Sequence, residues 1–177
     1  MDRSNWLILA LAVIAAAVGG YVEYRGQPSQ GDSALIGQPV PALSLPDLDG
    51  RQHPLNGYHG HRVLLNFWAS WCGPCLDEMP ALARMQSKFG EKGPIVVGVA
   101  MDDPVRVRAF LSAHPQNFPI LLGQMSPPST SLQMGDTQDA LPYSVLIDAD
   151  GRVLATHFGA LPPAALERWM TPGLTKP

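Results

Sequence analysis

The sequence contains two cysteines, and they stand three positions apart in Cys72-Gly73-Pro74-Cys75. Two thiols at this spacing can close into one disulfide and reopen as a dithiol, so the pair reads as a redox couple. Other chemistries fit less well. A structural zinc site usually takes four Cys or His ligands, and this pair supplies half of that set. A disulfide-stapled scaffold needs more cysteines. The remaining alternative is a buried, inert pair, and the flanking sequence argues against it. Residues 62–69 (RVLLNFWA) form an apolar run of strand length, and a helical pattern follows over 72–89. The motif therefore lies where a buried strand gives way to a helix. Backbone amides and the helix dipole favour an anion there, so a thiol ionises more easily. Cys72 is expected at the exposed start as the attacking nucleophile, and Cys75, one turn in and covered, as the resolving thiol. Pro74 suits the first turn, where its missing amide proton is no loss.

The elements that must hold this turn are legible in outline. Leu43, Leu45 and Leu48, with Pro46 and an Asp49-Gly50 turn signal, predict a short hairpin within 42–56. In the helix after the motif, Met79, Leu82, Met85 and Phe89 recur at helical spacing, and Gly90 should end it. Pro80 should kink it, because it lacks the amide proton of an interior position. Residues 95–100 read as a second buried strand. Asp103 is placed to cap a further helix with Pro104 at its first position. A short strand at 120–122 precedes a polar loop over 123–141 with one helical turn near Leu132. Residues 144–148 and 153–158 predict a hairpin, and 163–170 a last helix. Strands alternating with helices, closed by a hairpin and a helix, make an α/β fold with a mixed central sheet. The 18 prolines and 17 glycines agree with many short elements and exclude a helical bundle.

The first residues look like an address. Residues 6–22 carry no charge and follow Arg3, near the lower limit of the ~20 residues a spanning helix needs. We expect a short cytoplasmic end at 1–5, a single-pass transmembrane anchor at 6–22 and a flexible linker over 23–36. The folded domain is then 37–177. A cleaved signal peptide, with Ala15-Ala16-Ala17 as the cleavage site, is the alternative. Either reading places the domain outside the cytoplasm, on the periplasmic side of the inner membrane. The net charge of −3 and the absence of any basic block exclude nucleic acid as a partner.

Trp71-Cys72-Gly73-Pro74-Cys75, preceded by Phe67-Trp68-Ala69, resembles the active-site motif of the thioredoxin superfamily. Leu65-Asn66-Phe67, Glu78-Met79-Pro80, Leu141-Pro142 and Leu146-Ile147-Asp148 are similar to its membrane-anchored, extracytoplasmic branch, the TlpA, ResA and CcmG type. The resemblance implies a thioredoxin-like fold with an N-terminal hairpin and an inserted strand–helix unit at about 95–114. It implies a thiol–disulfide oxidoreductase whose catalytic residues are Cys72, Cys75 and Glu78. Glu78 would tune the thiols and accept the proton of Cys75; the alternative is a first-turn acid that complements the helix dipole. Trp71, Gly73, Pro74, Leu141 and Pro142 would contact substrate, with Pro142 in the cis form opposite the disulfide. No cofactor beyond the Cys72–Cys75 disulfide and no metal are implied. Plain thioredoxins carry a buried aspartate at the position of Asn66, so proton acceptance shifts toward Glu78.

The implied activity is reduction of disulfides in specific client proteins of cytochrome c or metalloprotein maturation, with electrons from a membrane thiol donor. An oxidase or isomerase uses the same fold. A dithiol with the same Gly-Pro between its cysteines works at about −270 mV, against about −120 mV for a strong oxidant, which favours reduction. A copper-binding module is the alternative from another class, since Met79, Met85, Met101, Met125 and Met134 offer sulfur. Met79, Met85 and Met101 fall at core positions; Met125 and Met134 are expected to help form a substrate surface. His59-Gly60-His61 reads as a solvated loop.

Overall fold

The computed structural model describes residues 34–90, 93–171 and 173. The expected anchor at 6–22 and most of the linker lie outside the described residues. Among the described residues no helix is long and apolar enough to cross a membrane. The hairpin is β1 (Ser44–Pro46) paired antiparallel with β2 (Gln52–Pro54), followed by a 3₁₀ turn at Leu55–Tyr58. Asp47 shapes its turn: Oδ1 accepts from the amides of Asp49 and Arg51 at 2.8 and 2.9 Å, and Gly50 supplies a φ of +82°. The chain then runs through β3 (Val63–Trp68), α1 (Gly73–Phe89), β4 (Ile95–Ala100), α2 (Pro104–Ala113), β5 (Ile120–Leu122), α3 (Thr130–Gln133), β6 (Tyr143–Ile147), β7 (Val153–Phe158) and α4 (Pro163–Met170).

The five strands form one mixed sheet in the order β5-β4-β3-β6-β7. β3 pairs parallel with β4 and antiparallel with β6, so it is central, and all six of its residues are buried. Its alternate side chains serve two cores. Val63, Leu65 and Phe67 pack with Leu45, Met134, Tyr143 and Val145. On the opposite face Leu64 packs with Leu82 of α1 and Leu166 of α4, while Trp68 packs with both cysteines, Met79 and Val107 of α2. The three long helices thus share one face, and the hairpin and the loop around α3 cover the other.

The caps agree with the residues present. Asp103 accepts from the amides of Val105 and Arg106, Gly90 ends α1 at a φ of +63°, and α1 runs through Pro80 without a break. Two expectations change. Leu35 and Ile36, placed in the linker, pack against the core, so the folded domain begins a few residues before 37. Met134 is fully buried and belongs to the core, not to a substrate surface. The strand–helix unit expected at about 95–114 is present as β4 and α2. β4 is an interior strand, however, and β5 forms that edge of the sheet.

Candidate active site

The turn between β3 and α1 brings the two cysteines together as a disulfide, with their Cα atoms 5.3 Å apart. Cys72 is the N-cap of α1, and its carbonyl accepts from the amide of Leu76 at 3.1 Å. Cys75 is fully buried; Cys72 retains 6% exposure, so in the oxidised state the expected nucleophile shows only an edge of its surface. The rim around it is open. Trp71 is 62% exposed, Gly73 and Pro74 are exposed, and a Cβ built on Gly73 would meet nothing within 4 Å.

The loop ahead of Cys72 is held from β4. Asp102, buried just beyond that strand, accepts from the Ser70 hydroxyl at 2.5 Å and from the Ser70 amide at 3.0 Å. Burial works to raise the Asp102 pKa, but the bonds from Ser70 and from the Asp103 amide outweigh it and hold the carboxyl below its usual range. The cysteine motif itself gives no hint of this pair. Its signal was the doubled acid Asp102-Asp103, since a single helix cap needs only one.

Leu141–Pro142 is a cis peptide bond, as the resemblance implied, and so is Pro127–Pro128. Pro142 is buried at the start of β6, and its carbonyl accepts from the amide of Gly159 at 2.8 Å. Leu141 packs against the cluster that contains both cysteines. A groove of about 390 Å³ runs between Trp71 and Leu141 and is lined also by Met101, Met125, Ser129 and Asp139. Met125 is exposed there; Met101, expected in the core and buried there, also shares the lining, and Met134 does not.

Glu78 stands one turn beyond Cys75 on the same face of α1, three residues on. It lies beyond the first helical turn, which removes the reading as a dipole-complementing acid. It is buried, and each carboxyl oxygen has one donor: Asn66 Nδ2 reaches Oε1 at 2.6 Å and the Leu161 amide reaches Oε2 at 2.9 Å. Burial raises its pKa above the ordinary 4.5, while the two hydrogen bonds pull the other way without cancelling the shift. Asn66 is thus in contact with the acid to which its missing proton chemistry was assigned. The Leu161 donor comes from the loop between β7 and α4, and a backbone amide leaves no trace in the sequence. Among the described residues no group of three or more His, Cys, Asp or Glu is clustered as a metal site would require.

A disulfide at the start of a helix that follows the central strand of a mixed sheet, with a cis-proline beside it, defines a thioredoxin-like thiol–disulfide oxidoreductase. The chain belongs to the AhpC/TSA family, whose model matches residues 36–156. It is 29% identical over 170 residues to the thiol-disulfide oxidoreductase ResA of Bacillus anthracis, covering 96% of this chain and 95% of that one. It is 30% identical over 171 residues to ResA of Geobacillus kaustophilus, covering 95% and 96%. Among solved structures it resembles one described as a putative thiol:disulfide interchange protein DsbE from Chlorobium tepidum. The TM-score is 0.69 and the identity 34%, over 79% of this chain and 98% of that one. Within the family, the Cys72–Cys75 pair sets the chemistry.

Proposed function

We propose that this protein is a membrane-tethered reductase that works outside the cytoplasm on selected disulfide-bearing clients of cytochrome c or metalloprotein maturation. A membrane thiol donor would restore its dithiol. The carrying observation is the asymmetry of the pair. Cys72 keeps an edge at an open rim, while Cys75 is fully enclosed with Glu78 one turn away. The uncharged segment 6–22 supports the tether, and the relatives named ResA and DsbE support the client class.

The cycle follows from that asymmetry. In the reduced protein the Cys72 thiolate attacks one sulfur of the client disulfide, forming a Cys72–client bond and expelling the other client sulfur as a thiolate. Cys75 then gives its proton to the Glu78 carboxylate and attacks Cys72. The mixed disulfide breaks, the second client sulfur leaves with the electron pair, and Cys72–Cys75 is the oxidised product. Two electrons have passed to the client, and the proton on Glu78 follows to the leaving thiolate or to solvent. Trp71, Gly73, Pro74, Leu141 and Pro142 frame the position of the client strand, and the groove beside Trp71 accommodates its flanking residues.

Client trapping tests the reading. Cys75→Ser leaves the mixed disulfide without a resolving thiol, so full-length protein expressed in its membrane should accumulate a small set of clients on Cys72. Adducts with abundant thiols alone would sink the proposed selectivity. A reduction potential near that of thioredoxin, about −270 mV, supports the reductase; one near −120 mV would make the protein an oxidase.

A further inference from the structure

Asn66 lies on β3 in register with Gly98 of β4 and Ser144 of β6, and it is 1% exposed. Its Nδ2 is well served, donating to Glu78 Oε1 at 2.6 Å and to Ser144 Oγ at 3.1 Å. Its Oδ1 is buried and has no hydrogen-bond partner. Buried polar atoms are almost always paired, and an orphan asks for an explanation. Here the orphan is an acceptor on the side chain that already touches a carboxylate. That carboxylate, in its ionised form, can only accept. Once protonated it becomes a donor and needs an acceptor in the same place.

We propose that Asn66 is a positioning residue that serves both protonation states of Glu78 by exchanging the ends of its amide. This rests on the proton-accepting role given to Glu78 above. With Glu78 ionised, Nδ2 faces the carboxylate and Oδ1 is unpartnered. With Glu78 protonated, a half-turn about the terminal torsion, which is broad and roughly two-fold, brings Oδ1 to the acid proton. The Ser144 hydroxyl, both donor and acceptor, reorients to donate to the same oxygen. Nδ2 then takes the unpartnered place. One polar atom is left over in each state, so taking up the proton from Cys75 loses no further hydrogen bond at Asn66. An aliphatic residue at 66 would serve neither state, and an aspartate would titrate itself.

The surroundings leave this role to Asn66. Cys75 precedes Glu78 by one turn of α1, Ser144 stands behind Asn66 on β6, and the Leu161 amide approaches from the loop before α4. His157 on β7 is the register partner of Ser144 and meets Trp169 edge-on. Glu167 of α4 is paired with Lys88 at the surface. Neither His157, Glu167 nor Lys88 acts on Glu78, whose pKa burial raises and the bonds from Asn66 and Leu161 lower.

The oxidised wild-type protein provides the first test. The side-chain amide resonances of Asn66 and the carboxyl carbon of Glu78 are followed by NMR across the pH range. Both should titrate with one midpoint, above that of an ordinary glutamate; a flat Asn66 beside a titrating Glu78 overturns the inference. Asn66→Leu removes a hydrogen bond from each protonation state of Glu78, the stronger one from the charged form. The proton affinity of Glu78 should therefore rise by no more than about tenfold, moving its midpoint up by at most about one pH unit. A rise of about a hundredfold, as from a donor that serves the carboxylate alone, overturns the inference. In a Glu78→Gln background Asn66→Leu should leave the pH–rate profile unchanged. If the leucine variant does not fold, Asn66→Asp serves, and two adjacent carboxyls should give two separated midpoints in place of one. Because the NMR titration needs no client, its outcome is independent of whether the dithiol reduces proteins. A titrating Asn66 in a protein that reduces nothing would sink the proposed function alone.

Discussion

Replacing Glu78 by glutamine keeps the size of the side chain and removes its capacity to take a proton. Without that base, Cys75 must lose its proton to solvent before it can attack the mixed disulfide. A thiol of ordinary pKa, about 8.5, is ~3% ionised at pH 7, so the resolving step should slow by at least ~30-fold. General-base contributions of about 10² to 10⁴ leave room for more. The assay is single turnover: a chromogenic thiol is placed on Cys72 as a mixed disulfide, and its release is timed by stopped flow. The deficit of Glu78→Gln should shrink about tenfold per pH unit as the thiol pKa is approached and vanish above it. A deficit that is constant with pH, or none at all, would refute the role of Glu78 as base.

The same residue carries a stability signature. Its folded pKa is raised above 4.5, so the native state holds a proton that the unfolded chain releases. The stability this confers is fully present below about pH 4.5 and is lost as pH rises through the folded pKa. Urea midpoints of wild type should therefore fall relative to Glu78→Gln across that window, and parallel curves would contradict the shift. Asp103→Ala removes the cap of α2 and should cost about 1 kcal/mol by chemical denaturation while leaving single-turnover rates unchanged. Asp102→Ala should cost more, about 1–3 kcal/mol, since it strands two Ser70 donors, and it should also slow attack by Cys72. Gly98→Val should destabilise by about 1–3 kcal/mol, because a Cβ there falls 2.7 Å from Ile120 Cδ1 and 3.1 Å from Trp68 Nε1.

Elements whose signal is local could be read in advance. The run 62–69 and the Met79, Leu82, Met85, Phe89 spacing foretold β3 and α1 because each expresses one periodicity over one segment. Asp103-Pro104 foretold a helix start because a cap bonds to amides two and three residues on. Leu141–Pro142 was reached through resemblance, since nothing in its own composition distinguishes a cis bond. What escaped was made by elements far apart in the chain. Met134 sits in a loop by its neighbours but is drawn into the core, with its carbonyl accepting from the Tyr143 hydroxyl at 3.0 Å. Leu35 and Ile36 follow a polar stretch, yet the Gly37 amide bonds to the Val153 carbonyl at 2.8 Å and carries them onto the sheet. Neither contact has a spacing that shows within one segment.

Glu78 shows why such contacts decide function. The resemblance implied a base and a place early in the helix allowed a dipole-complementing acid, and the two differ in which way the pKa moves. An acid at a helix N-terminus is held low by the dipole, far from the pKa of a thiol, and makes a poor acceptor for it. Proton transfer is most efficient when donor and acceptor are closer in affinity. Burial between α1 and β3 moves Glu78 upward, and the two donors from Asn66 and Leu161 limit that shift. A glutamate with more donors would ionise readily and take no proton from the thiol. One with none would stay protonated and have no capacity left. The usable range lies between, and it is set by residues 12 positions before and 83 positions after the acid itself.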